Sequence, residues 1–177
     1  MKKILVLYAT QEGQTEKIAK VITGHLEKCG AEAVLANVSN IDPSVQLPDY
    51  DMLVFGASVH EGAIERTMQD FINSHARLIG QKERSFFLVS LSAAEKDQEA
   101  RDAWLSDMEK KITARLQVPF DQMEMIAGAL KYTQYNWLTR FFMKHIVGNA
   151  GGDTDTSKDF EYTDWKQVED YASKLAQ

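Results

Sequence analysis

Six residues near the start of the chain carry its most specific chemistry: Thr10-Gln11-Glu12-Gly13-Gln14-Thr15. An apolar run from Ile4 to Ala9 stops against them. Apolar residues then recur at three- and four-residue steps through Ile18, Ala19, Ile22, Leu26 and Cys29. The pattern predicts strand, loop, helix. Such a loop sits where a strand ends and a helix begins, so unpaired N–H groups and the positive end of the helix dipole meet there, and it favours an anion. Gly13 lets the backbone turn several N–H groups toward one point, and Thr10 and Thr15 add hydroxyl donors. There is no Gly-Lys-Ser/Thr ending and no Gly-x-Gly-x-x-Gly, which excludes the nucleoside-triphosphate loop and the dinucleotide fingerprint. Hydroxyls and N–H groups without Lys or Arg suit a terminal phosphate monoester. On these six residues alone, a glycine turn capped by Thr15 competes with the phosphate reading.

The elements that must position this loop follow in order. The first helix is expected to end near Gly30, with a second strand over 31–38 and a loop through Pro43 and Pro48. A third strand is expected over 51–56, ending in Ala57-Ser58-Val59-His60-Glu61-Gly62. Ile64, Met68, Phe71, Ile72 and His75 mark a helix. A fourth strand, 85–91, ends in Ser92-Ala93-Ala94, and a long polar helix spans 97–116 with Ala100, Trp104, Met108, Ile112 and Leu116 as its apolar face. A fifth strand is expected over 123–130, and a last helix over 163–175 with Thr163 as N-cap. The strands are continuous apolar runs that alternate with helices, as in a parallel sheet buried on both faces. The fold class read here is α/β, a doubly wound five-stranded parallel sheet, with ligands outside the carboxyl ends of the strands at the switch point. Those ends carry small residues, Ala9, Gly56-Ala57-Ser58 and Ser90, which let backbone approach a flat ring.

Composition narrows the classes. A chain of 177 residues with 44% hydrophobic and 26% charged content reads as one globular domain, residues 1–177. A net charge of −6 argues against nucleic acid as a partner. The single cysteine, Cys29, excludes an internal disulfide, and its spacing predicts a buried structural thiol in a reducing compartment. No run approaches the roughly 20 apolar residues of a membrane span. The start of the chain lacks the cleavage site of a signal peptide. A receiver domain of the same topology needs acidic residues after strand one and an Asp ending strand three; Ala9-Thr10 and Gly56-Ala57-Ser58 stand there.

Between strand five and the last helix lies Lys131 to Gly148, with Lys131, Arg140 and Lys144 and no acidic residue. At helical spacing Trp137, Leu138, Phe141, Phe142, His145 and Ile146 share a face. This is a basic amphipathic insertion, about 131–150, which suits a bilayer surface or an apolar ligand; an extra helix packed on the domain's own core is the other reading. His25 and His75 fall on helix faces and read as structural. Asp153 and Asp155 read as a polar turn rather than a metal site.

The Thr10-x-x-Gly13-x-Thr15 loop resembles the phosphate loop of the flavodoxin family. That resemblance implies FMN, with Thr10, Gln11, Glu12, Gly13, Gln14 and Thr15 around the phosphate. It also implies that Ser58, Val59 and His60 on one side, and Ser90, Leu91 and Ser92 on the other, flank the ring. Further matches are Ile126-Ala127-Gly128-Ala129-Leu130, Tyr135-x-Trp137 with Arg140-Phe141, Gly151-Gly152-Asp153-Thr154-Asp155-Thr156 and Tyr162-Thr163-Asp164-Trp165. Together they are similar to the quinone-dependent protoporphyrinogen dehydrogenase family, flavodoxin-like enzymes with an insertion at this place. The resemblance implies a porphyrinogen substrate, a quinone acceptor, and a cytoplasmic location with peripheral contact at the inner face of a bacterial membrane through 132–147. It names no catalytic acid or base. The residues themselves leave two other readings open: a flavodoxin-type electron carrier, and an NAD(P)H:quinone reductase.

Overall fold

The structure, a computed structural model, describes residues 1–60, 62–95, 97–134 and 155–177. Strand β1 (Lys3–Ala9) leads into helix α1 (Gln14–Lys28) and strand β2 (Glu32–Asn37). Then come β3 (Met52–His60), β4 (Ala63–Ile64), α2 (Arg66–Ser74), α3 (Ala76–Ile79), β5 (Glu83–Ser90) and α4 (Gln98–Thr113). The described chain continues through β6 (Gln122–Ala127), β7 (Ala129–Leu130), β8 (Phe160–Glu161) and α5 (Trp165–Leu175). Five strands run parallel in the order β2-β1-β3-β5-β6, and β4 folds back antiparallel onto β3. The doubly wound sheet expected from the alternating pattern is therefore present.

The two faces of β1 show why its sequence is continuously apolar. Ile4, Val6 and Tyr8 pack with Ile18, Ile22 and Leu26 of α1 and with Val168, Tyr171 and Leu175 of α5. Leu5, Leu7 and Ala9 pack in a second core with Met68 and Ile72 of α2, Ile79 of α3, and Met108 and Ile112 of α4. Each fully buried Leu or Ile contributes about 2 kcal/mol of transfer free energy, so neither face can be stripped of its helices. On the first face Tyr171 is buried, its hydroxyl 2.6 Å from Ser85 Oγ, and Ser85 Oγ in turn donates to the Gln122 carbonyl at 3.2 Å. Burial pushes the Tyr171 phenol far above its ordinary range, so it stays a neutral donor.

Several boundaries differ from expectation, each for a local reason. Strand β3 does not stop at Gly56; it runs to His60 because β4 pairs with its end, Val59 opposite Ile64 and His60 opposite Ala63. Ser58, Val59 and His60 are thus strand residues rather than a loop. The fifth strand is divided at Gly128, whose N–H donates to the Ser90 carbonyl at 3.1 Å. Its end, β7, leaves the main sheet to pair with β8. The last helix is capped by Asp164, whose Oδ1 accepts from the N–H groups of Lys166 and Gln167; Thr163 is used elsewhere. Cys29 is exposed. It is the residue that ends α1 (φ −81°, ψ 2°), so the helical register that would turn it inward stops one residue before it. Gly30 follows at φ 88°, the left-handed stop expected there.

Gly56 is small for a reason other than ligand approach. It lies opposite Phe87 in the β3–β5 ladder, and a Cβ on it would fall 2.0 Å from Phe87 Cζ. Phe87 is itself fully buried, edge-on to Tyr171 at 6.3 Å between centroids. Gly56→Ala is therefore expected to cost about 3 kcal/mol or more, the upper end for overpacked cores, in urea unfolding. Adding Phe87→Leu should recover part of the loss. A Gly56→Ala protein as stable as wild type would contradict this packing.

Candidate functional site

The carboxyl ends of β1, β3 and β5 lie side by side. Ala9 pairs with Ala57, and Ser58 pairs with Val89. Thr10, Ser58–His60 and Ser90–Ser92 therefore emerge from three adjacent strands, on an edge roughly 10 Å across from β1 to β5 at ordinary strand spacing. The three groups of residues expected to meet do meet at this edge.

The loop after β1 is built around Gly13. Its φ of 83° and ψ of −8° are left-handed, a conformation that a residue with a Cβ adopts only under strain. This turn brings the Gly13 N–H onto Thr10 Oγ1 at 3.0 Å, and the Gly13 carbonyl accepts the Lys17 N–H at 3.0 Å to start α1. No side chain caps the helix, so Thr15 does not serve as the cap that the competing reading of the loop required. Gln11 is exposed and Glu12 half-buried, whereas Gln14 and Thr15 are buried. Thr15 Oγ1 and Gln14 Oε1 are buried without a hydrogen-bond partner among the described residues. A buried hydroxyl left unsatisfied is costly. Beside an uncapped helix start, an anion with oxygen acceptors supplies what Thr15 lacks.

Gln14 also anchors the loop from behind. Its Nε2 donates to Thr163 Oγ1 at 2.9 Å, and Thr163 Oγ1 donates to the Ala127 carbonyl at 2.7 Å. The loop is thereby tied to the end of β6 and to the approach to α5. Nearby, Lys17 Nζ lies 2.5 Å from Glu161 Oε2 and 4.8 Å from the Trp165 ring centre, while Trp165 Nε1 donates to Glu161 Oε1 at 2.9 Å. The sequence marks Thr163 only as a helix cap, and its role across the fold has no signal in local spacing.

On the other side, Ser90 is buried and its Oγ accepts the Ser92 N–H at 3.2 Å, which caps the short turn 91–94. Leu91 and Ser92 are half-exposed. In the middle, the β3–β4 hairpin turns through Gly62 at φ 78°. Val59 is buried and His60 exposed. Glu65 directly follows β4, just beyond the Val59–Ile64 pair, and Ser58 Oγ donates to Glu65 Oε1. Glu65 Oε2 is buried with no partner among the described residues. Glu65 was not among the residues singled out from the sequence. The signal is in the spacing: Ser58-Val59-His60 and Ala63-Ile64-Glu65 flank the two residues Glu61-Gly62, the length and glycine of a hairpin turn. His25 contacts Ser173 Oγ at 2.8 Å and His75 Nδ1 lies 2.8 Å from the Phe71 carbonyl, both structural positions. Asp155 Oδ1 accepts from Ser157.

The base of the expected insertion is an antiparallel ribbon, with Ala129 opposite Glu161 and Leu130 opposite Phe160. Tyr132 is fully buried, edge-on to Phe160, and Thr133 bonds Asp159 Oδ1 through its N–H and its hydroxyl. Tyr132 therefore anchors the ribbon and is not part of a presented surface. The aromatic face from Tyr135 to Ile146 and the run Gly151 to Thr154 lie outside the described residues. No helix among the described residues is long and apolar enough to cross a membrane.

Comparison with known proteins gives the family. A family model described as a flavodoxin domain matches residues 5–157. The protein named Protoporphyrinogen IX dehydrogenase [quinone] of Escherichia coli (strain K12) is 36% identical over 98% of this chain and 94% of its own. A protein of the same name from Leishmania major is 30% identical, covering 98% of this chain and 74% of its own. The chain belongs to the flavodoxin-like, quinone-dependent protoporphyrinogen IX dehydrogenase family. Among solved structures, oxidised flavodoxin 1 of Bacillus cereus superposes at a TM-score of 0.55 with 15% identity, over 98% of this chain and 97% of that one. A Streptococcus pneumoniae TIGR4 flavodoxin gives 0.56 with 15% identity over the same shares. These two share the fold.

In this member of the family, Glu65 sets a pH dependence of stability. Burial pushes its carboxyl up from the ordinary value of 4.5, against the hydrogen bond from Ser58 that pulls it down. The folded state then holds the proton more tightly than the unfolded chain. Over the window from the ordinary value up to the raised one, the folded state binds more protons, so stability falls as pH rises. Glu65→Gln abolishes this term. Urea unfolding of the FMN-free protein should show the variant gaining on wild type as pH rises above the ordinary glutamate range. A stability difference that stays flat with pH would refute the assignment.

Proposed function

We propose that the protein oxidises protoporphyrinogen IX to protoporphyrin IX, with FMN as cofactor and a quinone of the menaquinone or ubiquinone class as electron acceptor, in porphyrin and haem synthesis. The observation that carries this reading is 36% identity along 98% of the chain with a protein named for that reaction. FMN, when bound, supplies the ring that accepts a hydride equivalent and passes it on. Thr10, Gln11, Glu12, Gly13, Gln14 and Thr15 hold its phosphate. The unpartnered Thr15 hydroxyl and the uncapped start of α1 support that role. Ser58, Val59 and His60 flank one side of the ring, and Ser90, Leu91 and Ser92 the other. The support is the register that brings the ends of β1, β3 and β5 together.

The insertion, about 131–150, belongs to the same domain and presents the porphyrinogen or the quinone, or touches the cytoplasmic face of the membrane as a peripheral contact. What supports this is its basic and aromatic sequence, and the β7–β8 ribbon that pairs the chain just before it with Phe160 and Glu161. The net charge of −6 is against nucleic acid as a partner.

Two measurements test the reading. Porphyrin fluorescence from protoporphyrinogen IX, measured anaerobically with FMN-loaded protein and a menaquinone analogue, should grow only when protein, flavin and quinone are all present. No growth above the uncatalysed rate with FMN demonstrably bound would leave a flavodoxin-type carrier instead. Separately, Gly13→Val should weaken FMN by about tenfold in fluorescence titration. An ideal Cβ on Gly13 meets no atom within 4 Å, so the cost is the left-handed dihedral rather than a clash. That cost is about 1–2 kcal/mol, and 1.4 kcal/mol is tenfold. Unchanged affinity would remove the phosphate assignment from this loop.

A further inference from the structure

Glu65 is a half-buried residue whose carboxylate the phosphate-loop reading leaves without a task. One of its oxygens, Oε1, accepts the Ser58 hydroxyl proton, and the other, Oε2, is buried without a partner among the described residues. A carboxylate held this way costs stability, and a plain hairpin needs none. Its position explains more. Ser58 lies near the carboxyl end of β3, the middle strand of the three that form the site edge. His60 is two residues on, hence on the same face of the strand, and exposed. Its charge acts on Glu65. Ser58, Glu65 and His60 thus form a short polar line from the site edge to solvent.

The other charged groups around the hairpin do not neutralise it. Arg66 pairs with Asp70 on the exposed face of α2, with Nε 3.4 Å from Oδ2. Arg115, just beyond α4, reaches the Gly62 carbonyl at 3.5 Å rather than the carboxylate. α4 itself offers the hairpin turn an apolar atom, Met108 Cε.

We propose that Glu65 is the proton-holding residue of this enzyme, loaded and unloaded through the Ser58 hydroxyl. The inference rests on the function proposed above. Oxidation of a porphyrinogen to a porphyrin breaks four C–H and two N–H bonds over three two-electron steps; each step gives up one hydride equivalent, which the flavin would take when bound, and one proton, which must go elsewhere. Ser58 Oγ accepts that proton while its own passes to Glu65 Oε1, which turns the carboxylate into a carboxylic acid. Reduction of the quinone needs two electrons and two protons. The hydride equivalent supplies both electrons and one proton, and Glu65 returns the other through Ser58. The cycle releases no proton to solvent, so atoms and charge balance. Burial that favours the protonated acid suits a group that must hold a proton between the two half-reactions.

The test uses the full chain. In FMN-free protein, infrared difference spectra between acid and neutral pH should contain a protonated-carboxyl band that persists above the ordinary glutamate range and is lost in Glu65→Gln. In FMN-loaded protein reduced with dithionite, the rate of reoxidation by menadione should show an inflection in that raised range. Glu65→Gln should remove the inflection and slow reoxidation by about tenfold or more, the low end of general acid–base effects or below it. Ser58→Ala should slow it in the same sense, since the relay is cut while the carboxyl remains. Quenching of flavin fluorescence on loading confirms that each variant binds FMN. A Glu65→Gln protein with the wild-type rate and pH profile overturns the proposal. The substrate reading fails separately: no porphyrin fluorescence, with the menadione inflection intact, would remove protoporphyrinogen and keep Glu65 as the proton holder.

Discussion

A parallel sheet covered by helices on both faces has its backbone closed off everywhere except at its ends. In this protein that constraint determines where function can sit. The apolar residues of β1 are divided between two cores, one under α1 and α5 and the other under α2, α3 and α4. Neither face has room for a ligand without losing a helix and the burial it provides. The carboxyl edge is different. There the strands end in N–H and C=O groups that the helices do not cover, and the crossover at β1 and β3 opens the sheet's topological switch point. Loop, hairpin and turn are three solutions to the same problem of ending a buried strand, and each leaves polar groups facing one place.

What could be read from the sequence was what is local. Thr10 to Thr15 is a continuous stretch, and its glycine and hydroxyls announce a turn, a helix start and an anion at once. The order of strands and helices was equally legible, because burial on both faces writes itself as uninterrupted apolar runs. The features that escaped depend on partners far away in the chain. Thr163 looks like a helix cap until Gln14 and Ala127, distant in sequence, are brought to it. Gly56 looks like room for a ring until Phe87 is placed opposite it. Glu65 was hidden by ending β3 four residues too early, since its partner Ser58 was then a loop residue. Cys29 failed for the opposite reason: the helical repeat was carried one residue past the true end of the helix.

The site is also unusual in how it handles charge. The loop from Thr10 to Thr15 contains no Lys or Arg, so an anion bound there would be met by dipoles and hydroxyls, which are fixed by the backbone and cost little reorganisation. Lys17, the nearest lysine along the chain, is turned to Glu161 and Trp165 instead. It helps tie α1 to the ribbon at the base of the insertion and leaves the loop to the backbone. This arrangement separates two jobs. Backbone groups bind, and long charged side chains brace the frame around them.

The same division bears on why a proton-holding carboxyl belongs on a hairpin rather than on a loop. A group that must accept a proton at one moment and return it at the next needs a constant distance to its relay. Here the β3–β4 ladder constrains that distance from next door, because Ser58 precedes and Glu65 follows the paired Val59 and Ile64, and the Ser58 hydroxyl bonds the carboxylate. Solvent would level the carboxyl to its ordinary range, so the residue must also be kept from water, and the buried Oε2 shows that it is. Natural proteins retain an unsatisfied buried oxygen where a function offsets its cost in stability. A rigid ladder, a desolvated acid and a hydroxyl between it and the site edge are together more than packing requires, and each is needed for a proton to wait there.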